Sequence, residues 1–450
     1  MTDPIDPRAR QRRADAEAIF AAAVRAADPR RCVERVLSVQ GGNLIIAGTS
    51  IPLAERSRLL VIGAGKATPA MAGAAEAVLG ERIAAGAINT KYDHAVPLSR
   101  IRTTECGHPV PDAEGVRGTG RILDLLAQVD RDTLVLCLFS GGGSALLPAP
   151  AEGLTLADKQ ETTRLLLACG ATIDEINTMR KHLSEVKGGQ LARRAQPARV
   201  ISLLLSDVIG DPLDTIASGP THPDPTTFAD CLELMTRYRL LERLPAPART
   251  RLEAGATSRV SETPKPGDPC FARTETRVIG NNALALDAAR EEAVRRGYQP
   301  LVLSSRIQGE AREVAAVYAA LAQEACTTGQ PVPAPACIIG GGETTVTLRG
   351  TGRGGRNQEL ALAAAVRLAG WGRVTLLSAG TDGTDGPTDA AGAVVDGSTV
   401  ERARQRGFQA ADHLDRNDAY PLLAGTGDLL VTGATGTNVM DLQLVLVSPA

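Results

Sequence analysis

An α/β fold in two domains is what this chain predicts, and three observations predict it. Four apolar, strand-like runs stop abruptly in glycine: 59–62 at Gly63-Ala64-Gly65-Lys66, 134–139 at Ser140-Gly141-Gly142-Gly143-Ser144, 336–339 at Gly340-Gly341-Gly342-Glu343-Thr344, and 374–377 at Ser378-Ala379-Gly380-Thr381-Asp382. Such runs alternate with helical patterns, a rhythm that gives a mostly parallel sheet covered on both faces. The 450 residues also exceed what one hydrophobic core usually serves. In α/β folds ligands bind outside the carboxyl ends of the strands, where glycine lets backbone N–H groups approach an anion. The turns therefore point to phosphate chemistry.

Each element follows in order from periodicity. Residues 14–27 carry Ile19, Phe20, Ala23 and Val24 at helical spacing, an opening amphipathic helix. Strand 59–62 leads into an Ala-rich helix over 67–79. Strands 84–90 and 101–105, helix 112–129 and strand 134–139 follow, then helices 155–169 and 174–194 and strand 199–205. The stretch 242–275 holds five prolines among many charges and reads as a linker or a peripheral excursion. The pattern restarts with strand 276–280, helix 282–296, strand 299–305, helix 309–326 and strand 335–340. A strand 344–348 can pair back across the glycine turn. Helix 357–369, strand 373–378 and helix 397–406 come next, and the runs 428–432 and 442–447 resemble a closing hairpin. The expected domains are 1–260 and 270–450.

Composition excludes several classes. Aromatic residues make up only 2%, too few for base-stacking platforms. The net charge of −2 leaves no global basic field for nucleic acid or an anionic membrane. No apolar run approaches the roughly 20 residues that span a bilayer. The eight cysteines are scattered without CxxC spacing, which argues against zinc and for reduced thiols. The opening residues show no apolar signal core, so the expectation is a cytoplasmic protein, monomeric or homodimeric.

The motifs narrow the chemistry. Gly63-Ala64-Gly65-Lys66 is not a P-loop, because no Ser or Thr follows the lysine and the leading glycine is missing. It is not a dinucleotide fingerprint either, since Thr68 stands where a third glycine belongs and no acid ends the next strand. What remains is a strand–turn–helix with Lys66 at a helix N-terminus, where anions are favoured. Ser140-Gly141-Gly142-Gly143-Ser144 offers consecutive backbone donors and two hydroxyls. It is no nucleophile elbow, because Leu146 replaces the second glycine. Asn177, Arg180, Lys181 and Lys187 fall on one face at helical spacing and suit a carboxylate or polyphosphate, or a solvated surface. Asp207 and, less securely, Asp211 could hold magnesium. Arg356, in the glycine loop before Asn357, suits a transferring phosphoryl group. Asp382 and Asp385 fail the EF-hand ladder and read as a magnesium or ligand-hydroxyl site or, nearly as well, as an Asp/Gly turn. None of the five histidines sits in a triad-like arrangement.

Taken in order, these stretches, with Gly341-Gly342-Glu343-Thr344, Ser218-Gly-Pro-Thr221 and Gly436-Thr-Asn438-Val-Met-Asp441, resemble the glycerate 2-kinases of the MOFRL type from about residue 15 to the C-terminus. The resemblance implies phosphorylation of D-glycerate at the 2-hydroxyl by ATP and Mg2+. It implies a Rossmann-like N-terminal domain, a smaller C-terminal α/β domain and an active site in the interdomain cleft. It marks Lys66 and Arg356 as the catalytic cations. On that basis Gly65, the 140–144 turn, Glu343, Thr344, Gly341 and Asn357 belong to substrate and phosphate binding. Arg180 or Lys181 neutralises the glycerate carboxylate, and Lys187 joins them. Asp207 is the magnesium ligand or the base, with Asp382 and Asp385 in reserve. Proteins of this type have often been labelled hydroxypyruvate reductase, so an NAD(P)H-dependent reductase is the first alternative. A non-catalytic binder of small acids is the second.

Overall fold

The computed structural model describes residues 6–52 and 58–450, and the opening pentapeptide of the signal-core reading lies outside them. The chain forms two compact units. The larger is Pro29–Ile279, and the smaller joins the described part of Met1–Asp28 to Gly280–Ala450.

The larger unit is built on a six-stranded sheet. In spatial order its strands are Ile101–Cys106, Ile83–Lys91, Leu59–Ala64, Leu134–Phe139, Arg199–Leu205 and Thr274–Gly280. The first five run parallel. Strands Leu59–Ala64 and Leu134–Phe139 are buried throughout, as their unbroken apolar runs require. Register sets Ala64 beside Phe139, and Phe139 beside Leu204. The segments after these three strands therefore leave the sheet at one level. A separate meander, Leu37–Gln40, Asn43–Ile46 and Thr49–Pro52, went unpredicted because each strand is only four residues long.

Two expectations for this unit change and one left open is resolved. The helix read over 174–194 stops at His182 and resumes as Gln190–Arg194. Gly188 and Gly189 adopt φ of 55° and 80°, which a helix cannot hold, and Ser184 bridges to Pro150. The proline-rich stretch is a peripheral excursion: it contains helix Ala246–Ala256, whose Ala248 and Leu252 pack with Phe228, Met235 and Met179. The strand expected to open the second half is instead the edge of the first sheet.

The smaller unit holds a mixed sheet. Its order is Gln299–Glu310, Ala336–Thr345, Asp441–Val447, Val374–Gly380, Gly392–Asp396 and Leu429–Leu430. Only the first pair is parallel. Two expectations fail here as well. Residues 336–345 form one continuous strand, so no glycine turn folds 344–348 back. The last two apolar runs do not pair with each other, because Asp441–Val447 inserts between Ala336–Thr345 and Val374–Gly380.

The opening helix, Pro7–Ala26, belongs to this smaller unit. Its Arg12 is buried and donates to Thr375 Oγ1 at 3.1 Å, Ser448 Oγ at 3.0 Å and the Gly372 carbonyl at 2.7 Å. Arg13 donates to Asp428 Oδ1 at 2.8 Å, and Asp15 accepts from Arg296 at 2.8 Å and Tyr298 at 2.9 Å. These bonds tie the opening helix to the second half of the chain; the two units divide after Asp28 and after Ile279, away from the expected break between 260 and 270. No described helix is long and apolar enough to cross a membrane.

Arg12→Ala removes a buried cation and strands the Gly372 carbonyl. It is expected to lower the unfolding free energy by about 2–3 kcal/mol, measured by urea denaturation. A change no larger than that of an exposed arginine would contradict the anchoring role.

Candidate active site

In the larger unit the site is assembled at the carboxyl ends of three adjacent strands. Lys66 follows Leu59–Ala64, the 140–144 turn follows Leu134–Phe139, and Asp207 follows Arg199–Leu205. The first two turns are bonded into one body. Lys66 N donates to the Gly141 carbonyl at 2.9 Å, and Ala67 N donates to Ser140 Oγ at 3.0 Å. Ser140 Oγ also meets Thr68 Oγ1 at 3.1 Å. Ser140 is therefore a brace, and its hydroxyl is spent. Gly65 is spent too. Its N–H donates to the Asn89 carbonyl and its carbonyl accepts from Thr90. At φ 149° a Cβ there would lie 2.1 Å from Ser140 Oγ.

The rest of the turn is open. The N–H groups of Gly141, Gly142 and Ser144 make no hydrogen bond among the described residues, whereas Gly143 N donates to the Ser140 carbonyl. Gly141 gives Asp207 room, since a Cβ would stand 2.2 Å from its Oδ2. Gly142, at φ 81°, packs near Lys66 Cε and the ring of His108. The cluster is thus Lys66, three unbonded donors, Asp207 and His108. Burial raises the Asp207 carboxyl, and Lys66 draws it back down. Burial, then Lys66 and Lys91, hold His108 at about 4, so its ring is neutral at pH 7. His108 was missed because it carries no sequence motif.

Beyond Ser144 the hydroxyls continue. Ser144 Oγ meets Ser218 Oγ at 2.7 Å, and Ser218 donates to Asn177 Oδ1 at 3.0 Å. Ala217 and Ser218 hold φ of 52° and 61°, strain that the neighbouring bonds maintain. Lys187 Nζ donates to the Ser144 carbonyl at 2.7 Å. Arg180 is half-buried and makes no ion pair among the described residues. Lys181 does not join this group: its ammonium is buried between Asp214 at 2.9 Å and Asp224 at 3.2 Å. Asp211 sits apart in a turn at φ 55°.

The smaller unit gathers Arg356, Glu343, Asp382, Asp385 and Asp441 at the ends of its strands. Arg356 donates through Nε and Nη2 to Asp441 at 2.6 and 2.8 Å, and pairs through Nη1 with Glu343 at 2.9 Å. Burial opposes its charge, but the bond to Asp441 outweighs that and holds the guanidinium firmly protonated. Three of its five N–H groups are engaged, so two remain. Asp441 was read only as part of the family signature, and its position beside Arg356 depends on a sheet pairing far apart in sequence.

Other candidates here are structural. Asp385 accepts from the N–H groups of Asn357 at 3.1 Å and Gln358 at 2.9 Å, capping helix Arg356–Arg367. Asn357 is buried and accepts from Ser378 at 2.6 Å. Gly341 makes room for Asn282, whose Nδ2 holds the carbonyls of Val439 and Asp441. Thr344 is buried with its hydroxyl unbonded. Asp382 accepts from Thr384 N through one oxygen. Among the described residues no group of three or more His, Cys, Asp or Glu is arranged to hold a metal ion.

Known proteins match this chain over most of its length. The family model described as a domain of unknown function, DUF4147, matches residues 15–253, and the MOFRL family model matches 336–441. A D-glycerate 2-kinase of Thermotoga maritima is 44% identical over 399 residues, 88% of this chain and 93% of that protein. This chain belongs to the glycerate kinase family. Within the family, the crystal structure of a glycerate kinase from Thermotoga maritima superposes with a TM-score of 0.88 at 40% identity, covering 97% of this chain and all of that one. A relative from Agrobacterium vitis, 43% identical over 95% of this chain and 93% of its own length, bears the provisional name hydroxypyruvate reductase.

Burial, the first cause, raises the Asp385 carboxyl to about 6, against the backbone bonds that lower it. A raised carboxyl stabilises the fold most when protonated, below its unfolded value, and that contribution is lost as pH rises through about 6. The stability of the wild type relative to Asp385→Asn should therefore fall by roughly 3 kcal/mol between acid and neutral pH. Urea denaturation at both pH values checks it, and a pH-independent difference would contradict the assignment.

Proposed function

We propose that this chain transfers the γ-phosphoryl group of ATP to the 2-hydroxyl of D-glycerate, giving 2-phospho-D-glycerate and ADP. The observation that carries the reading is the trio of unbonded N–H groups at Gly141, Gly142 and Ser144, flanked by Lys66 and Asp207. Preorganised donors beside a cation stabilise charge that develops on phosphoryl oxygens, and phosphoryl transfer asks for little else besides positioning. The names of the relatives supply the acceptor and the position of attack.

In this reading Asp207 takes the proton of the 2-hydroxyl. Its raised carboxyl makes it a better base than an exposed aspartate. The freed oxygen attacks the γ-phosphorus, and the bond to the β-phosphate oxygen breaks to release ADP. Lys66 and the turn donors hold the charge of the transferring group. Arg356 is retained as a second phosphate-neutralising cation on its chemistry: oriented by Asp441 and Glu343, it keeps two N–H groups. Arg180 and Lys187 remain the anion-binding residues. Lys181 is withdrawn from that role by its two carboxylates.

Magnesium would enter with the nucleotide, and a single carboxylate suffices when phosphate oxygens and water complete an octahedron. Asp207 is the side chain of this cluster that fits it, and the ion would neutralise phosphate charge. Asp385 is occupied as a cap. We further propose a cytoplasmic setting for the enzyme.

The reductase reading finds no support in the site. Asn89 stands where a ribose-binding acid is needed, and its amide is used on the carbonyls of Gly115 and Leu146.

Incubation with ATP, magnesium and D-glycerate, followed by NMR of the product, tests the activity and the position together. Consumption of NADH with hydroxypyruvate in the absence of ATP would overturn the reading. Lys66→Met is expected to lower kcat about 10²- to 10³-fold with the fold intact. Asp207→Asn should lower kcat about 10²-fold or more at saturating magnesium. Recovery of near wild-type kcat as magnesium is raised to saturation would assign Asp207 to the metal instead.

A further inference from the structure

One pocket of the larger unit carries positive charge that its own carboxylates do not neutralise. It has a volume of about 770 Å³ and lies against Ser144. Lys159, Arg180 and Lys187 line it, and Pro111, Pro148 and Leu167 form part of its apolar wall. Lys159 is 8% exposed, and its ammonium has no hydrogen-bond partner among the described residues. Lys187 is 2% exposed, and among the described residues its ammonium bonds only the Ser144 carbonyl. The neighbouring acids are committed elsewhere: Glu161 pairs with Arg164 at 2.6 Å, and Glu185 pairs with Arg194. Burying an ammonium without a counter-charge is costly. The same unit shows the paired alternative in Lys181, with two carboxylates on one ammonium. At Lys159 and Lys187 the chain leaves that charge uncompensated beside an open pocket.

We propose that this pocket seats the nucleotide, with Lys159, Arg180 and Lys187 on the phosphate chain and the base against the wall of Pro111, Pro148 and Leu167. The proposal rests on the kinase reading above. Three cations match a multiply charged chain better than one carboxylate. The volume is that of a pocket for a drug-sized ligand and far exceeds a three-carbon acid. An apolar wall beside a charged end suits a flat heterocycle carrying phosphates.

The protonation of the pocket supports this. Burial, then Arg180 and Arg251, hold Lys159 at about 7, with Glu185 opposing. Burial, then Lys159 and Arg180, hold Lys187 well below the usual lysine range. On the helix of Lys159 itself, Glu161 and Arg164 cancel each other. The empty pocket is thus partly neutral at pH 7, and an arriving anion draws protons onto it.

Calorimetric titration of the full-length protein with ADP tests the proposal without needing turnover. Lys159→Met should weaken ADP binding about ten- to a hundredfold while leaving the KM for D-glycerate nearly unchanged. Its unfolding temperature should equal or exceed that of the wild type, because an uncompensated buried charge is gone. Lys159→Arg should keep ADP binding. Wild-type affinity should fall relative to Lys159→Arg as pH rises through about 7, a comparison that cancels the titration of ADP itself. Unchanged ADP affinity in Lys159→Met would overturn the proposal. So would weakened affinity with a lowered unfolding temperature that Lys159→Arg does not rescue, or a loss confined to D-glycerate. ADP binding through Lys159 in a chain that fails to phosphorylate glycerate would sink the kinase reading and leave the pocket standing.

Discussion

The larger unit depends on how closely two backbone turns can approach each other. Ser140 Oγ receives Ala67 N, and the Gly141 carbonyl receives Lys66 N, so the turns after two neighbouring strands move as one. That approach needs bare backbone. At Gly65 a Cβ would overlap Ser140, and at Gly141 one would overlap Asp207. Glycine here serves the packing of side chains against backbone, and ligand access follows from it. Because the turns are braced by Ser140, the N–H groups of Gly141, Gly142 and Ser144 stay free. A turn that had to bond itself through those groups would have nothing left to offer an anion.

This separates what was legible in the sequence from what was not. The strands leading to Gly63 and Ser140 were readable because short, unbroken apolar runs rich in β-branched and large apolar residues and closed by glycine favour a buried strand over a helix. The same rule misread Gly340, Gly341 and Gly342. There the strand continues, and the glycines make room for Tyr318, Asn282 and the Ile307 backbone. Glycine composition cannot distinguish a turn from a crowded strand, because both need a missing Cβ. Helical spacing put Asn177 and Arg180 on one helix, as observed, but ran on past His182, since the left-handed pair Gly188-Gly189 interrupts the chain further along. The opening helix was readable as amphipathic, but not the unit it would join. That choice is made by Arg12 reaching residues more than 350 positions away.

Lys159 shows the limit most plainly. In sequence it is a lysine on an amphipathic helix that opens with a Thr155–Asp158 capping box, and such lysines normally face water. Only the packing of neighbouring helices buries it, and it has no hydrogen-bond partner among the described residues because nearby acids such as Glu161 and Glu185 pair with arginines instead.

The cations of the two units illustrate one trade-off in three forms. Lys181 is given two carboxylates, which stabilise its charge and remove it from any ligand. Arg356 is given Asp441 and Glu343, but a guanidinium has a planar fork of five donors, so orientation can be bought from three while two stay available. A lysine has no such division of labour, because its three N–H groups turn about one bond. A lysine meant for a ligand must therefore go unpaired, and the fold bears the cost of its burial. Lys159 and Lys187 fit that description: among the described residues the Lys159 ammonium has no hydrogen-bond partner, and Lys187 is held by a neutral carbonyl. The arginine is fixed by its carboxylates, whereas burial pushes both lysines toward the neutral form, and an anion beside them would favour their charge.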